Sequence, residues 1–267
     1  MNNQLNYKKL TEEVEKIAIA AGKYIRNERT NFDTGKVEQK GNHDFVSYVD
    51  KTSEKQIVTE LEKLLPQAGF IAEEGTRQNR GEIYNWIIDP LEGTTNFIHG
   101  IYPFAVSIAL MENNEIVSGV VYEIGLDECF SASKKGGAFL NGKQIKVSDK
   151  SKLDNCLIAT GFPYSNYSKL DKYMTSLSRL MVESHGIRRI GSAATDLVYT
   201  ACGRFDAFYE YGLSPWDVAA GVIIVKEAGG KISDFQGNDN YIFGKEIVAA
   251  NNLVFDEFSN LIKNCLN

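Results

Sequence analysis

The stretch Trp86-Ile87-Ile88-Asp89-Pro90-Leu91-Glu92-Gly93-Thr94-Thr95-Asn96-Phe97 decides how this chain is read. Trp86-Ile87-Ile88 is a short apolar run rich in β-branched residues, which predicts a buried strand. Asp89-Pro90 is a turn signal, and proline has no N–H for a sheet ladder, so the strand is expected to stop there. A carboxylate then stands at the end of a core strand, where open α/β sheets place their ligands. Glu92 follows three residues later. Gly93 tolerates a tight backbone, and Thr94-Thr95 can cap a following turn of helix. Two carboxylates beside a cluster of N–H groups suit a hard cation bridging to an anion such as phosphate. The same residues are also good turn chemistry, so this stretch alone leaves function open.

Two further stretches narrow it. Ile71-Ala72-Glu73-Glu74-Gly75 is a second apolar run ending in paired acids, and Ser214-Pro215-Trp216-Asp217-Val218-Ala219-Ala220-Gly221 places an acid in the first turn of a helix. Together the three stretches resemble the inositol monophosphatase family of metal-dependent sugar phosphatases. That family shows an acidic pair, then D-P-[LI]-D-G-T-x-N-F, then W-D-x-A-[AG]. The resemblance runs from the first helix to about Gly230. One departure stands out: Glu92 occupies the place where the family usually has Asp.

Composition fits an ordinary globular protein, 43% hydrophobic and 24% charged,. At 267 residues the chain is long enough for a substantial core in one large domain or two packed subdomains,. A formal net charge of −6 offers no basic face for nucleic acid, so no nucleic-acid partner is expected,. An acidic protein acting on an anionic phosphate is workable when divalent cations invert the local field. Cys129, Cys156, Cys202 and Cys265 are widely spaced with no C-x-x-C pair, which argues against a zinc site or redox motif,. His43, His99 and His185 form no close pair. No apolar run is long enough to span a membrane, and a reduced, cytoplasmic protein is expected.

Helical spacing of Leu10, Val14, Ile17, Ala18, Ala21 and Ile25 predicts a first helix over Leu5–Asn27, followed by a polar loop, 30–42,. A second helix is expected over Lys51–Leu65, with Asp50 as its N-cap. Ala105–Met111, Ile116–Ile124, Cys129–Lys134, Gly137–Leu140 and Gln144–Val147 read as an antiparallel meander, with Asn141-Gly142 as a hairpin turn. The polar stretch Ser148–Asn155 marks a boundary between residues 1–150, an α+β subdomain, and residues 151–267, an α/β subdomain. The second half alternates: strands at Leu157–Gly161, Ile187–Ile190, Asp206–Tyr211, Lys231–Asp234 and Ile247–Ala250, helices at Tyr167–Met181, Ala193–Ala201, Pro215–Ala228 and from about Val254. This α/β (mixed α+β) pattern is compatible with the family's layered αβαβα sandwich.

The resemblance implies roles for individual residues. Glu73, Asp89 and the carbonyl oxygen of Leu91 would hold one Mg2+; Asp89, Glu92 and Asp217 would hold a second; Glu73 would touch a third through water. Two such ions activate a water and stabilise the leaving oxygen of an in-line displacement. That water would be lined up by Glu73 and the Thr94 hydroxyl, itself polarised by Asp50. The phosphate would rest on N–H groups of Gly93, Thr94 and Thr95. Gly191, Ser192 and Ala193 precede a helix and offer further N–H groups to substrate, and Glu210 would accept hydrogen bonds from sugar hydroxyls. Its competing role is that of a surface acid. Glu74 points away from Glu73 in an extended chain and supports a turn. In the family, the loop around Lys40 is a flap over the metals. Arg188 and Arg189 would reach a second phosphate or pair with acids. The expected activity is Mg2+-dependent hydrolysis of a small phosphate monoester, myo-inositol monophosphate first, in a lithium-sensitive homodimer. The alternatives are NADP, phosphoadenosine phosphate or fructose bisphosphate as substrate, or a non-catalytic metal or polyol sensor that acts through a partner.

Overall fold

The computed structural model describes residues 5–30, 32, 35, 37–41, 44–77, 79–164 and 166–266, with the backbone alone for 37–41 and 44–46. The Lys40 side chain and His43 lie outside the described residues.

Five layers stack as αβαβα, and alternation along β4 (Tyr84–Glu92) shows how the sequence builds them. Trp86 and Ile88 point to one face and join a core with α1 (Tyr7–Thr30) and α2 (Tyr48–Leu64),. Ile87 points to the other face and joins a core with α5 (Ala193–Ala201) and α6 (Pro215–Glu227). β4 belongs to a seven-stranded sheet. Its neighbours are the parallel β3 (Gly69–Ala72) and the antiparallel β5 (Ala105–Glu112). From β5 an antiparallel meander continues through β6 (Glu115–Glu123), β7 (Glu128–Ser133), β8 (Gly137–Leu140) and β9 (Lys143–Ile145).

The second sheet has the order β11-β10-β12-β14-β13. Here β10 is Leu157–Thr160, β11 Gly186–Arg188, β12 Ala207–Tyr211, β13 Lys231–Ser233 and β14 Glu246–Ala250. Its inner face, Ala159, Phe208, Ile247 and Ala249, packs on α5 and α6. Its outer face, Ile158, Tyr209 and Val248, packs on α4 (Leu170–Glu183) and α7 (Phe255–Leu266). Helix α6 lies between two sheets, so Val218 through Val225 are all buried, and a helix apolar on every side is what such a position needs,.

Four local readings are corrected by the fold. β4 does not stop at Asp89-Pro90 but runs to Glu92. Its register against β5 shifts between Asp89 and Glu92, so Pro90 sits in a bulge, where a missing N–H costs the ladder nothing,. Asp50 is not the N-cap of α2. Ser47 is, with extended backbone, its hydroxyl accepting from Val49 N–H; Asp50 reaches back as the third helical residue to close a capping box,. The polar loop contains β1 (Val37–Gly41), paired antiparallel with β2 (Asp44–Ser47). Finally, α4 begins at Leu170, three residues after the Tyr167 expected from spacing.

Candidate active site

Three element ends meet at the C-terminal end of β4. Asp89 precedes the bulge on the same face as Ile87, toward the α6 layer,. Glu73 follows β3, its N–H bonded to the Ile88 carbonyl at 3.2 Å, which sets it beside Asp89. Asp217 sits in the first turn of α6, where it closes a capping box by accepting the Ser214 N–H at 2.7 Å. Ser107 of β5 ties that turn down, its hydroxyl donating to the Trp216 carbonyl at 3.0 Å. The Asp89 carboxyl lies within hydrogen-bond reach of Glu73 and of Asp217.

After the bulge the chain turns on Gly93, whose φ of +85° is a left-handed conformation that favours glycine,. A side chain there would also press on the Pro103 carbonyl and the Phe104 backbone. The short helix α3 (Thr94–His99) follows, and its first intrahelical bond is Phe97 N–H to Gly93 carbonyl at 3.1 Å. The amides of Thr94 and Thr95 therefore precede the helical ladder and face out of its positive end. The Thr94 hydroxyl lies 3.2 Å from Asp50 Oδ1 and 2.9 Å from the Leu91 carbonyl. Asp50 is fully buried; its other oxygen accepts the Ser47 N–H at 2.9 Å and the Ser47 hydroxyl at 2.6 Å.

Electrostatics single out the same residues. Burial pushes the Asp89 carboxyl well above the usual carboxylate range, reinforced by the charges of Glu73, Asp217 and Glu92. Burial also raises Asp217, and it lifts Glu92 to about 8 despite hydrogen bonds from Ser192, Ala193 and Ala194. Asp50 is raised by burial, with its Ser47 bonds working the other way. Acids this close cannot all ionise without a counter-charge.

Raised carboxyl pKa values make the folded state bind more protons than the unfolded chain. The stabilisation they provide is fully present below the unfolded carboxylate value of about 4 and is lost as pH rises through the folded values, Glu92's being about 8,. The expected result is a melting temperature that falls between about pH 5 and pH 8 in protein stripped of divalent ions. Mg2+ should restore it at the upper end. Scanning calorimetry in chelator checks this, and a flat or rising profile would contradict it.

Glu92, at the end of β4, extends across to the start of α5. There its Oε1 accepts the Ala193 N–H at 2.8 Å and its Oε2 accepts the Ser192 hydroxyl. Among the described residues no three His, Cys, Asp or Glu side chains gather to hold a metal ion by themselves. Mg2+ is held by one or two carboxylates and keeps several waters. Glu73, Asp89 and the Leu91 carbonyl, whose second lone pair is left over by Thr94, are a donor set of that kind. In the set Asp89, Glu92 and Asp217, Glu92 would contribute only the lone pairs that its bonds to α5 leave free.

Glu210, on β12, is buried and lies flat against Gly161, where an added Cβ would sit 2.0 Å from its carboxyl carbon. Burial, then the charge of Asp217, raise it well above its ordinary value, while Arg189 works against both. Arg189 donates to the Tyr164 hydroxyl at 2.7 Å and stands over the rings of Phe162 and Tyr164. Arg188 donates to the Ile187 carbonyl beside it. His99 and His185 are exposed, and all four cysteines are free thiols.

A profile of the inositol monophosphatase family matches residues 6–264. The chain belongs to the inositol monophosphatase family. It is 40% identical over 238 residues to an inositol-1-monophosphatase of Mesorhizobium japonicum, covering 89% of this chain and 90% of that one. It is 43% identical over 232 residues to the Nus factor SuhB of Escherichia coli, covering 86% and 87%. Among solved structures, the Thermotoga maritima IMPase superposes with a TM-score of 0.86 at 36% identity, over 95% of this chain and 96% of that one.

Three residues with a place in the site escape a reading of the sequence. Glu54 on α2 is fully buried and accepts the N–H groups of Glu74 and Thr76 at 2.7 Å, which shapes the chain just after Glu73. Asn96 donates to the carbonyls of Pro103 and Ile190, tying α3 to the approach of α5. Asp196, buried in α5, has neither carboxyl oxygen hydrogen-bonded. Only Asn96 carries a sequence signal, the N of T-x-N-F; the two acids look like ordinary helix positions.

Proposed function

We propose that this chain hydrolyses a small phosphate monoester with Mg2+, myo-inositol monophosphate being the first candidate. The observation that carries this is the meeting of Glu73, Asp89 and Asp217 beside the Gly93 turn, with the Asp50–Thr94 pair next to them. Glu73, Asp89 and the Leu91 carbonyl would hold one ion, and Asp89, Asp217 and Glu92 a second. Bound Mg2+ supplies Lewis acidity that activates water and neutralises charge on the phosphate. The chain's own residues do the rest. The amides of Thr94 and Thr95 cradle the phosphate oxygens at the positive end of α3. Asp50 orients the Thr94 hydroxyl, whose oxygen accepts a hydrogen bond from the attacking water, and the Glu73 carboxylate takes the proton that the water gives up. Glu210 faces the alcohol part of the ester. Residues 1–150 supply most of the acids, and 151–267 supply Asp217, Glu210 and the start of α5. Lithium inhibition and a homodimer belong to the same reading.

NADP, phosphoadenosine phosphate and fructose bisphosphate are the competing esters. A second reading, a factor that works through a partner protein, is supported by the relatives named Nus factor SuhB. The presence together of Glu73, Asp50 and Thr94 favours catalysis, because a partner-binding factor needs no residues to position water. The test is phosphate release from the four esters with and without Mg2+. Release from inositol monophosphate at least about 10-fold above the others, abolished by chelator, is expected; a factor of ten corresponds to one well-made substrate hydrogen bond. No release from any ester would leave the partner-binding reading standing.

A further inference from the structure

Ser192 and Ala193 precede a helix and are the natural place to look for donors to substrate, yet their donors are already engaged. Ser192 is the N-cap of α5, its oxygen accepting the Thr195 N–H at 3.3 Å. The Ala193 N–H and the Ser192 hydroxyl both go to Glu92, which lies 100 residues before Ser192 and belongs to the other sheet. Glu92 thus completes the cap of a helix whose own sequence supplies only part of one.

The length of the arm decides this. An Asp at position 92 would be shorter by one carbon–carbon bond, about 1.5 Å. The 2.8 Å contact with Ala193 would then open to roughly 4 Å, beyond hydrogen-bond range,. The donors would be returned to solvent or to whatever binds beside the acids.

We propose that Glu92 sets the breadth of substrates this chain accepts: its carboxyl group occupies the Ser192 hydroxyl and the Ala193 amide, so these donors hold Glu92 in place and do not read hydroxyl groups of the substrate. The proposal rests on the phosphomonoesterase reading above for the identity of the substrate, but not for the contact itself. A site that lacks two donors discriminates less between alcohols that differ by a hydroxyl, because no buried group is left unpaired when that hydroxyl is missing.

Two measurements test it. The first is hydrogen exchange at the Ala193 amide in metal-free protein. Exchange should be slow in the unmodified chain and faster by roughly 10-fold in Glu92→Asp, the factor carried by one buried hydrogen bond. Glu92→Ala has the same expected result, which keeps the test open should Glu92→Asp fold poorly, and Glu92→Gln, equal in length, should retain most of the protection. The second is kcat/KM with Mg2+ for a polyol monophosphate and its analogue lacking the hydroxyl beside the phosphate-bearing carbon. The ratio should be near one in the unmodified chain and rise to about 10 in Glu92→Asp, where the donors are free to read that hydroxyl. Equal amide exchange in all forms, or strong discrimination already present in the unmodified chain, would overturn the proposal. If no form hydrolyses either ester, the phosphatase reading fails, and the exchange experiment still decides whether Glu92 holds the start of α5.

Discussion

Asp89→Asn is expected to abolish phosphate release and Mg2+ binding together while making the metal-free protein more stable. The two effects have one origin. Asp89 is buried at the point where Glu73 and Asp217 come within hydrogen-bond reach, and burial and its neighbours' charges both oppose its ionisation. Without cations the site stores repulsion, and a neutral amide of the same shape relieves it. The substitution leaves local geometry intact, because the side-chain oxygen of Asn can still accept the Leu91 N–H that Asp89 Oδ1 holds at 3.0 Å. With cations the balance reverses: Asp89 is the residue common to both proposed donor sets, so its loss removes charge from each. Losing transition-state charge stabilisation of several kcal/mol lowers kcat/KM by about 10³-fold or more. The checks are titration calorimetry with Mg2+, phosphate release, and the melting temperature in chelator. A mutant of full activity and normal Mg2+ dependence would falsify the site; one that loses activity with a lowered metal-free melting temperature would point to misfolding.

The reach of sequence reasoning follows from how local each feature is. β8 at Gly137–Leu140 and α5 at Ala193–Ala201 begin and end where periodicity and turn residues place them, since the signals lie within the elements. The antiparallel meander of the first half follows for the same reason. Asp89-Pro90 misleads because a missing N–H reads as a strand end, whereas the partner strand β5 absorbs it in a bulge,. Ser47-x-x-Asp50 is a capping box written in the sequence, and the acid is the more conspicuous half,. β1, Val37–Gly41, has almost no apolar character to announce it. In the candidate site, Glu73, Asp89 and Asp217 are legible because each stands in a motif, Glu73 just after β3, Asp89 before the bulge in β4 and Asp217 in the first turn of α6. Glu54 is not, since its partners are the backbone of a loop about twenty residues on. The engagement of Glu92 with α5 is equally hidden: Glu for Asp is visible in the chain, but the donors it reaches are brought near only by the stacking of the two sheets.

Thr94→Ala is expected to lower kcat by about 10²–10⁴-fold with KM changed little, the range typical of a positioned proton-transfer group. The Thr94 hydroxyl has one proton and two acceptors in reach, Asp50 Oδ1 and the Leu91 carbonyl. Donating to either leaves its oxygen lone pairs turned to the site, which is the polarity needed to accept from a water. Asp50 stays in place because Ser47 holds its other oxygen from both backbone and side chain. Such an acceptor acts when the water loses its proton and not when the ester binds, so the cost falls on kcat. Removing the hydroxyl also leaves Asp50 Oδ1 buried with one donor fewer, a loss of about 1–3 kcal/mol in stability,. That loss must be separated from catalysis. Thr94→Ser keeps the hydroxyl and loses only a methyl group, so it should recover most of kcat while the amides proposed to hold the phosphate stay where they are. Asp50→Asn supplies the complement: its single oxygen can accept from Thr94 or from the Ser47 N–H but not from both, and kcat should fall to a level between those of Thr94→Ser and Thr94→Ala,. Steady-state kinetics at saturating Mg2+ with melting curves on all three variants make the check. A Thr94→Ala protein altered in KM alone would move Thr94 from positioning water to holding substrate, and failure of Thr94→Ser to recover kcat would show that shape at this turn matters more than the hydroxyl.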